Sequence, residues 1–196
     1  MRADDADVVA ASVAQPERFS VVFDRYHRVV WGFLARMAGT EAADDLAGEV
    51  FVAAFAHRDR YDPTSGSVRA WLYGIAANLQ RSRWRSDARR ARTLERVAGH
   101  WSATESPIEA AEDVLAGRQQ LERVTDAMSL LSEPHREVLV LFVWEELTYD
   151  EIASALSVEV GTVRSRLARA RIDLRSLVGL NAHFPNGTSD QQEVTE

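Results

Sequence analysis

The stretch that most constrains this chain runs from Glu146 to Leu174, E-L-T-Y-D-E-I-A-S-A-L-S-V-E-V-G-T-V-R-S-R-L-A-R-A-R-I-D-L. Thr148 is a natural N-cap, and Glu151 three residues later completes a capping box, so a helix begins here. Ile152, Ala153 and Leu156 give it one apolar face, and Ser157 and Val158 break the run. A second periodic segment starts near Glu159 or Val160. Val163, Leu167, Ala170 and Leu174 keep one side of it apolar, while Arg164, Ser165, Ala168, Arg169 and Arg171 lie off that stripe. Two short helices joined this way suit a duplex major groove, the first bracing and the second entering. The plainer reading is an amphipathic helical hairpin with a solvated arginine face.

The other periodic segments are helical too. Phe19, Val22, Phe23, Tyr26, Val29, Val30, Phe33, Leu34 and Met37 follow the spacing of one buried face until Gly39-Thr40. A second helix, about Glu41 to Ala56, buries Ala43, Leu46, Val50, Phe51 and Ala54, and carries Glu41, Asp45 and Glu49 outside. Pro63 and Gly66 break the segment Asp59–Ser67 into a loop. A third helix starts near Val68 and passes Trp84, with Trp71, Leu72, Ile75, Ala76 and Leu79 inward. Farther on, Leu121, Val124, Met128 and Leu131 make one amphipathic helix. Ser132-Glu133-Pro134 starts another, with Val138, Leu139, Leu141 and Phe142 inward. The expected fold class is therefore all-α: two small helical domains joined by a flexible linker, the second containing the helix-turn-helix. The expected division is a disordered lead 1–16, a helical domain 17–88, a linker 89–117, a helix-turn-helix domain 118–178 and a disordered tail 179–196.

Charge says where to look for partners. The net charge of −7 argues against nucleic acid until its distribution is considered. Arg81, Arg83, Arg85, Arg89, Arg90, Arg92 and Arg96 face only Asp87 and Glu95 in their window, and a second basic patch runs from Arg164 to Arg175. Acidic residues gather elsewhere, at Glu41, Asp44, Asp45 and Glu49, again at Glu105, Glu109, Glu112 and Asp113, and in the tail. This pattern suggests DNA at two places and a basic partner at a third. There is no cysteine, which excludes disulfides and thiol chemistry and favours a cytoplasmic address. No apolar run is long enough for a membrane span, so no membrane insertion is expected.

Taken together, these motifs resemble a bacterial RNA polymerase sigma factor of the extracytoplasmic-function group, with sigma-70 regions 2 and 4 only. The resemblance covers about Glu17 to Val178. It rests on T-Y-D-E-I-A-S-A-L-S-V-E-V-G-T-V-R-S-R-L-A-R-A-R in region 4, and on A-A-D-D-L-A-G-E-V-F-V-A-A-F and V-R-A-W-L-Y-G-I-A-A-N-L in region 2. It implies a non-enzymatic initiation subunit without cofactor that binds core RNA polymerase, at the beta-prime clamp helices and the beta flap, and promoter DNA. An anti-sigma factor is a further implied partner. The implied −35 contacts are Thr162, Arg164, Ser165, Ala168, Arg169 and Arg171. The implied −10 contacts are Tyr61, Ser65, Tyr73, Asn78, Arg81, Trp84 and Arg85, with the loop Tyr61–Ser67 forming a pocket for a flipped base. Asp44, Asp45, Glu49 and Phe51 are the implied polymerase contacts. The chain departs from the family pattern at Ser157, where Gly is usual, and at Gly48, where a larger polar residue is usual.

Other readings of the same residues stand beside this one. The acidic helix is also compatible with a plain solvated face, or with a metal-dependent helical enzyme using Asp44, Asp45 and Glu49. The helix-turn-helix is also compatible with a self-sufficient regulator. The five histidines are scattered and carry no metal or catalytic role. A connector of the 26 residues Arg92–Gly117 spans roughly 28 Å as a coil and about 85 Å extended. Two turns of DNA measure about 70 Å, so two reading heads can be joined only by a nearly stretched chain.

Overall fold

The computed structural model describes residues 4–95, 124 and 126–178. Helix α1 is Asp5–Ala14, and after a 3-10 turn come α2, Ser20–Ala38, and α3, Thr40–Ala56. A second 3-10 turn and the loop before Val68 lead into α4, Val68–Glu95. The C-terminal half comprises a helical stretch at 126–130 (α5), then α6, Glu133–Val143, α7, Tyr149–Leu156, and α8, Val160–Val178. No strand occurs among the described residues.

Apolar periodicity explains the N-terminal half. Val30, Phe33, Leu34 and Met37 of α2 meet Ala43, Leu46, Ala47 and Val50 of α3, all buried. Each large side chain removed from water this way contributes roughly 1.5–3 kcal/mol. Gly39, at φ +85°, makes the reversal between α2 and α3 in a conformation that L side chains rarely adopt. Phe23 and Val29, expected inside, stay partly exposed at 41% and 37%. They sit at the edge of a stripe whose centre is Val22, Val30, Phe33 and Leu34. Phe23 instead stacks against Phe51, with ring centroids 4.9 Å apart.

The lead expected to be disordered is helical over Asp5–Ala14. Val8, Val9 and Ser12 are buried, and the Asp5 carboxylate accepts hydrogen bonds from Arg25 and Tyr26 of α2. Burial and the bond to Asp5 push the Tyr26 hydroxyl well above its usual range. The expected domain end at 88 also moves, because α4 continues to Glu95. Of the expected linker, 96–117 lies outside the described residues, as do Leu121 and the tail 179–196.

The C-terminal half is built around α6. Val138, Leu139, Val140 and Leu141 are all buried, including Val140, which the one-face pattern left out. Burial on several sides follows because α6 packs against α8 and α7 and also against α2 of the other half. Helix α7 lies along α4. The two halves therefore form one packed body among the described residues.

Candidate nucleic-acid and polymerase interfaces

The helix-turn-helix is α7, the turn at Ser157–Glu159, and α8. Thr148 Oγ1 accepts from the Glu151 backbone N–H, and the Glu151 carboxylate accepts from the Thr148 N–H at 2.9 Å, so both halves of the capping box are made. Ser157, at φ 53° and ψ 49°, closes α7 in the left-handed region. Its Cβ makes that conformation costlier than it would be for the glycine usual there. On α8, Val163, Leu167, Ala170 and Leu174 are buried against the rest of the half. Arg164, Ser165, Ala168 and Arg169 are exposed, and Thr162 and Arg171 are half-buried.

The expected −35 residues do not all stand free. The Arg164 guanidinium lies 5.9 Å from the Tyr149 ring centroid, and that of Arg171 lies 5.4 Å from Phe142. Those two rings are themselves 5.4 Å apart. Both arginines therefore lean on an aromatic pair, at a cation–π gain that holds their direction. The Ser165 hydroxyl donates back to the Thr162 carbonyl at 3.0 Å. Ala168 and Arg169 form the exposed remainder of the face.

The expected −10 residues divide into those brought together and those not. Tyr61 donates to the Gly66 carbonyl at 2.9 Å, and its ring packs 5.1 Å from Trp71. Asp62 accepts from Thr64 N–H and from the Thr64 and Ser65 hydroxyls, which holds the loop and lowers its carboxyl below the usual range. Tyr61, Ser65, Trp71 and Asn78 line one cavity of about 300 Å³. Arg81 stands beside it, donating to Asn78 Oδ1 at 2.6 Å. Trp84, 54% exposed, belongs to a different place. It lines a cavity of about 660 Å³ between the halves, with Arg83, Arg136 and Trp144. Arg85 is exposed on the same end of α4.

Two expected contacts are corrected. Tyr73 is fully buried, so it cannot touch DNA in this arrangement. Its ring packs 5.3 Å from Phe33 and its hydroxyl donates to Glu145. Burial and that bond push the hydroxyl well above its usual range. Phe51 is 5% exposed, closed over by Phe23 and His27, so it is a core residue of the α2–α3 pair and not a polymerase contact surface. Asp44, Asp45 and Glu49 remain on the outer face of α3, with Asp44 fixed by the Trp31 indole N–H at 2.7 Å. A Cβ at Gly48 would meet nothing within 4 Å, so no part of the described chain approaches there. No group of three or more His, Cys, Asp or Glu residues able to hold a metal occurs among the described residues. No helix there is long and apolar enough to cross a membrane.

Sequence reasoning missed Arg36, Arg69, Glu137 and Glu145. Glu145, 4% exposed, sits among Arg36 at 3.1 Å, Arg69 at 3.8 Å and the Tyr73 hydroxyl. Glu137, 1% exposed, lies 3.5 Å from Arg81, and burial raises its carboxyl to about 7. The one available signal was position. Both carboxylates interrupt an otherwise apolar run from Val138 to Trp144 at its two ends.

Residues 22–90 match the family described as Sigma-70 region 2, and residues 121–174 match Sigma-70, region 4. The sigma factor CarQ of Myxococcus xanthus is 33% identical over 83% of this chain and 90% of its own length. The ECF sigma factor SigL of Mycobacterium tuberculosis is 28% identical over 87% of this chain and 94% of its own. Among solved structures, CnrH in complex with the cytosolic domain of CnrY superposes with a TM-score of 0.64 at 26% identity, covering 91% of this chain and 99% of that one. The fold is shared as well with the sigma factor RpoE of Bartonella quintana, solved with the anti-sigma factor NepR, at a TM-score of 0.65 and 22% identity over 84% of this chain and 98% of that one. The chain belongs to the sigma-70 family of RNA polymerase sigma factors, in its extracytoplasmic-function group. It is a promoter-specific initiation factor and not an enzyme.

Proposed function

We propose that α8 reads the −35 element in the duplex and that the Tyr61–Asn78 cavity reads the −10 element after melting. The observation that carries the first half is the face of α8 opposite its buried stripe, where Arg164, Ser165, Ala168 and Arg169 meet solvent together. Arg169 is free to reach a base edge, and an arginine pairs best with guanine O6 and N7. Arg164 and Arg171, held on the aromatic pair, are placed for phosphates, which position a reader without specifying sequence. Thr162 and Ser165 flank them.

For the second half, Asn78 both donates and accepts, which suits an unstacked base edge, and Tyr61 and Trp71 offer rings for stacking. Arg81 and Arg85 serve the strand's phosphates, and Ser65 the rim of the cavity. Trp84, exposed outside that cavity, is a separate DNA contact of the same helix. Asp44, Asp45 and Glu49 make the acidic face that meets the basic clamp helices of the polymerase beta-prime subunit, and the C-terminal half meets the beta flap. Residues 17–95 and 118–178 act as the two heads and the chain between them as their connector. The protein works in the cytoplasm with the polymerase, and one of its fold relatives is solved with the anti-sigma factor NepR and another with the cytosolic domain of CnrY, which supports an anti-sigma partner here.

Asn78→Ala tests the −10 assignment. Closed-complex formation should stay nearly intact while permanganate reactivity of the −10 region falls, because edge contacts exist only after melting. An equal defect on a pre-melted template carrying a scrambled −10 strand would make Asn78 structural and end the assignment.

A further inference from the structure

The cavity of about 660 Å³ beside Trp84 shares no lining residue with the Tyr61–Asn78 cavity. Its volume falls in the range that takes a small organic molecule. Gly39 turns the chain here, so the end of α2 and the first turn of α3 both reach it, at Met37–Gly39 and at Ala42. Opposite helix ends carry opposite partial charges, so these two nearly cancel and side chains set the character of the site. Its body is apolar. Met37, Leu46 and Met128 are buried in the wall, while Trp84 and Trp144 line it and stay 54% and 40% exposed. An apolar occupant covers indole surface that otherwise meets water.

The charged side chains of the lining are all of one sign. Arg36, Arg83 and Arg136 line the cavity and no Asp or Glu does, in a chain whose 30 acidic and 23 basic residues would favour the reverse. Arg36 is answered by Glu145 at 3.1 Å. Arg83 and Arg136 make no ion pair among the described residues. Glu133 and Glu137 act on Arg136 only from farther off, and burial still lowers the pKa of its guanidinium. Hydrogen bonding gives a second, independent observation. Two buried polar atoms of lining residues lack a partner among the described residues: Nε of Arg136, and Oε1 of Gln80, a residue 3% exposed. Buried polar groups are normally paired. Arg136 Nε needs an acceptor and Gln80 Oε1 needs a donor, so an anion alone satisfies only the first.

We propose that this cavity binds a small aromatic carboxylate that also carries an N–H or O–H donor. Its ring packs on Trp84, Trp144 and the methionines, its carboxylate meets Arg83 and Arg136, and its donor meets Gln80 Oε1. Trp84 is the one residue shared with the DNA contacts proposed above, so the site stands or falls without them.

Isothermal titration of the full chain with indoleacetate tests it. Binding should be saturable and one-to-one. Tryptamine, with the same ring and a cation in place of the carboxylate, should bind at least about ten-fold more weakly, and so should indoleacetate to Arg136→Gln or Arg83→Gln. Naphthaleneacetate, which lacks the N–H, should bind about five-fold more weakly than indoleacetate. Gln80→Leu should abolish that preference between the two acids, which a merely structural role for Gln80 would leave in place. Arg28→Gln, on an exposed part of α2 away from the cavity, controls for net charge. Far-UV circular dichroism checks the two buried variants; if either loses its helices, exposed Arg83→Gln and the three ligands on the unmodified chain decide. No binding of indoleacetate, equal binding of tryptamine, or affinity as strongly reduced by Arg28→Gln as by Arg83→Gln overturns the proposal. Displacement by equimolar inorganic phosphate overturns it too, because the site is then a plain anion site.

Discussion

The side chains assigned to the −35 duplex stand on the outer surface of α8, whereas Tyr61, Ser65 and Asn78, from the set assigned to the −10 strand, line a cavity that has α7 residues in its wall. Both sets use arginine with small polar residues, so composition does not separate them. Shape does. A major groove is met by a convex helix, which needs only a buried stripe behind it. A flipped base needs a concave site, which side chains from more than one element must enclose. The proposed −35 face meets solvent as folded, whereas the cavity proposed for −10 has residues of α7 in its wall.

The largest expected effect would strike both heads alike. Asp45→Lys with Glu49→Lys reverses an exposed acidic face, and like-charge juxtaposition across an interface costs several kcal/mol. Titration of core polymerase should show binding weakened by well over ten-fold, with helical content unchanged. If core affinity holds, the acidic face of α3 is not the docking surface, and the heads reach the promoter by another route.

The next effect belongs to the covered side alone. Burial holds the Glu137 carboxyl at about 7, above its ordinary 4.5. The folded chain therefore binds this proton more tightly than the unfolded chain. Its contribution to stability is fully present below the ordinary value, declines as pH rises toward 7, and is gone above that. The decline amounts to something on the order of 3 kcal/mol. Denaturant unfolding from pH 4 to 8 should show it, and Glu137→Gln, which keeps the neutral form, should flatten it. An unaltered slope in Glu137→Gln would mean that another group titrates there.

The smallest effect sharpens the exposed side. Arg169→Ala should lose about 1–3 kcal/mol of −35 binding and relax preference at one position. Arg164→Ala should weaken binding more evenly across sequences and lower its salt dependence, since its guanidinium is held over Tyr149. Competition binding on duplexes with single −35 changes separates the two. Full selectivity in both variants would put the reading face elsewhere on α8.

The contrast between the heads also explains what could be read without a structure. The α8 stripe, the Thr148–Glu151 capping box and the start of α7 depend on neighbours a few residues away, and local spacing reveals such neighbours. The burial of Tyr73 is not legible locally because its partner, Glu145, lies 72 positions away. That of Phe51 is not legible either, because its cover, Phe23 and His27, comes from another helix. The N-terminal helix escaped notice because its anchor is the long-range set of Asp5 with Arg25 and Tyr26, beneath a composition rich in aspartate. Gly74 shows no reason of its own in the sequence. Its reason is the Ala155 carbonyl of the other half. Local periodicity thus exposed the head that is built locally, and missed the residues through which the two halves cover the other.

Sequence-selective initiation through two separated elements is measured most directly by run-off transcription with core polymerase on a library of templates randomised at both elements. Selected templates should share two elements about two helical turns apart, with Arg169→Ala relaxing the upstream one and Asn78→Ala the downstream one. Transcripts without any shared element, or selection of both elements that persists without core polymerase, would contradict it.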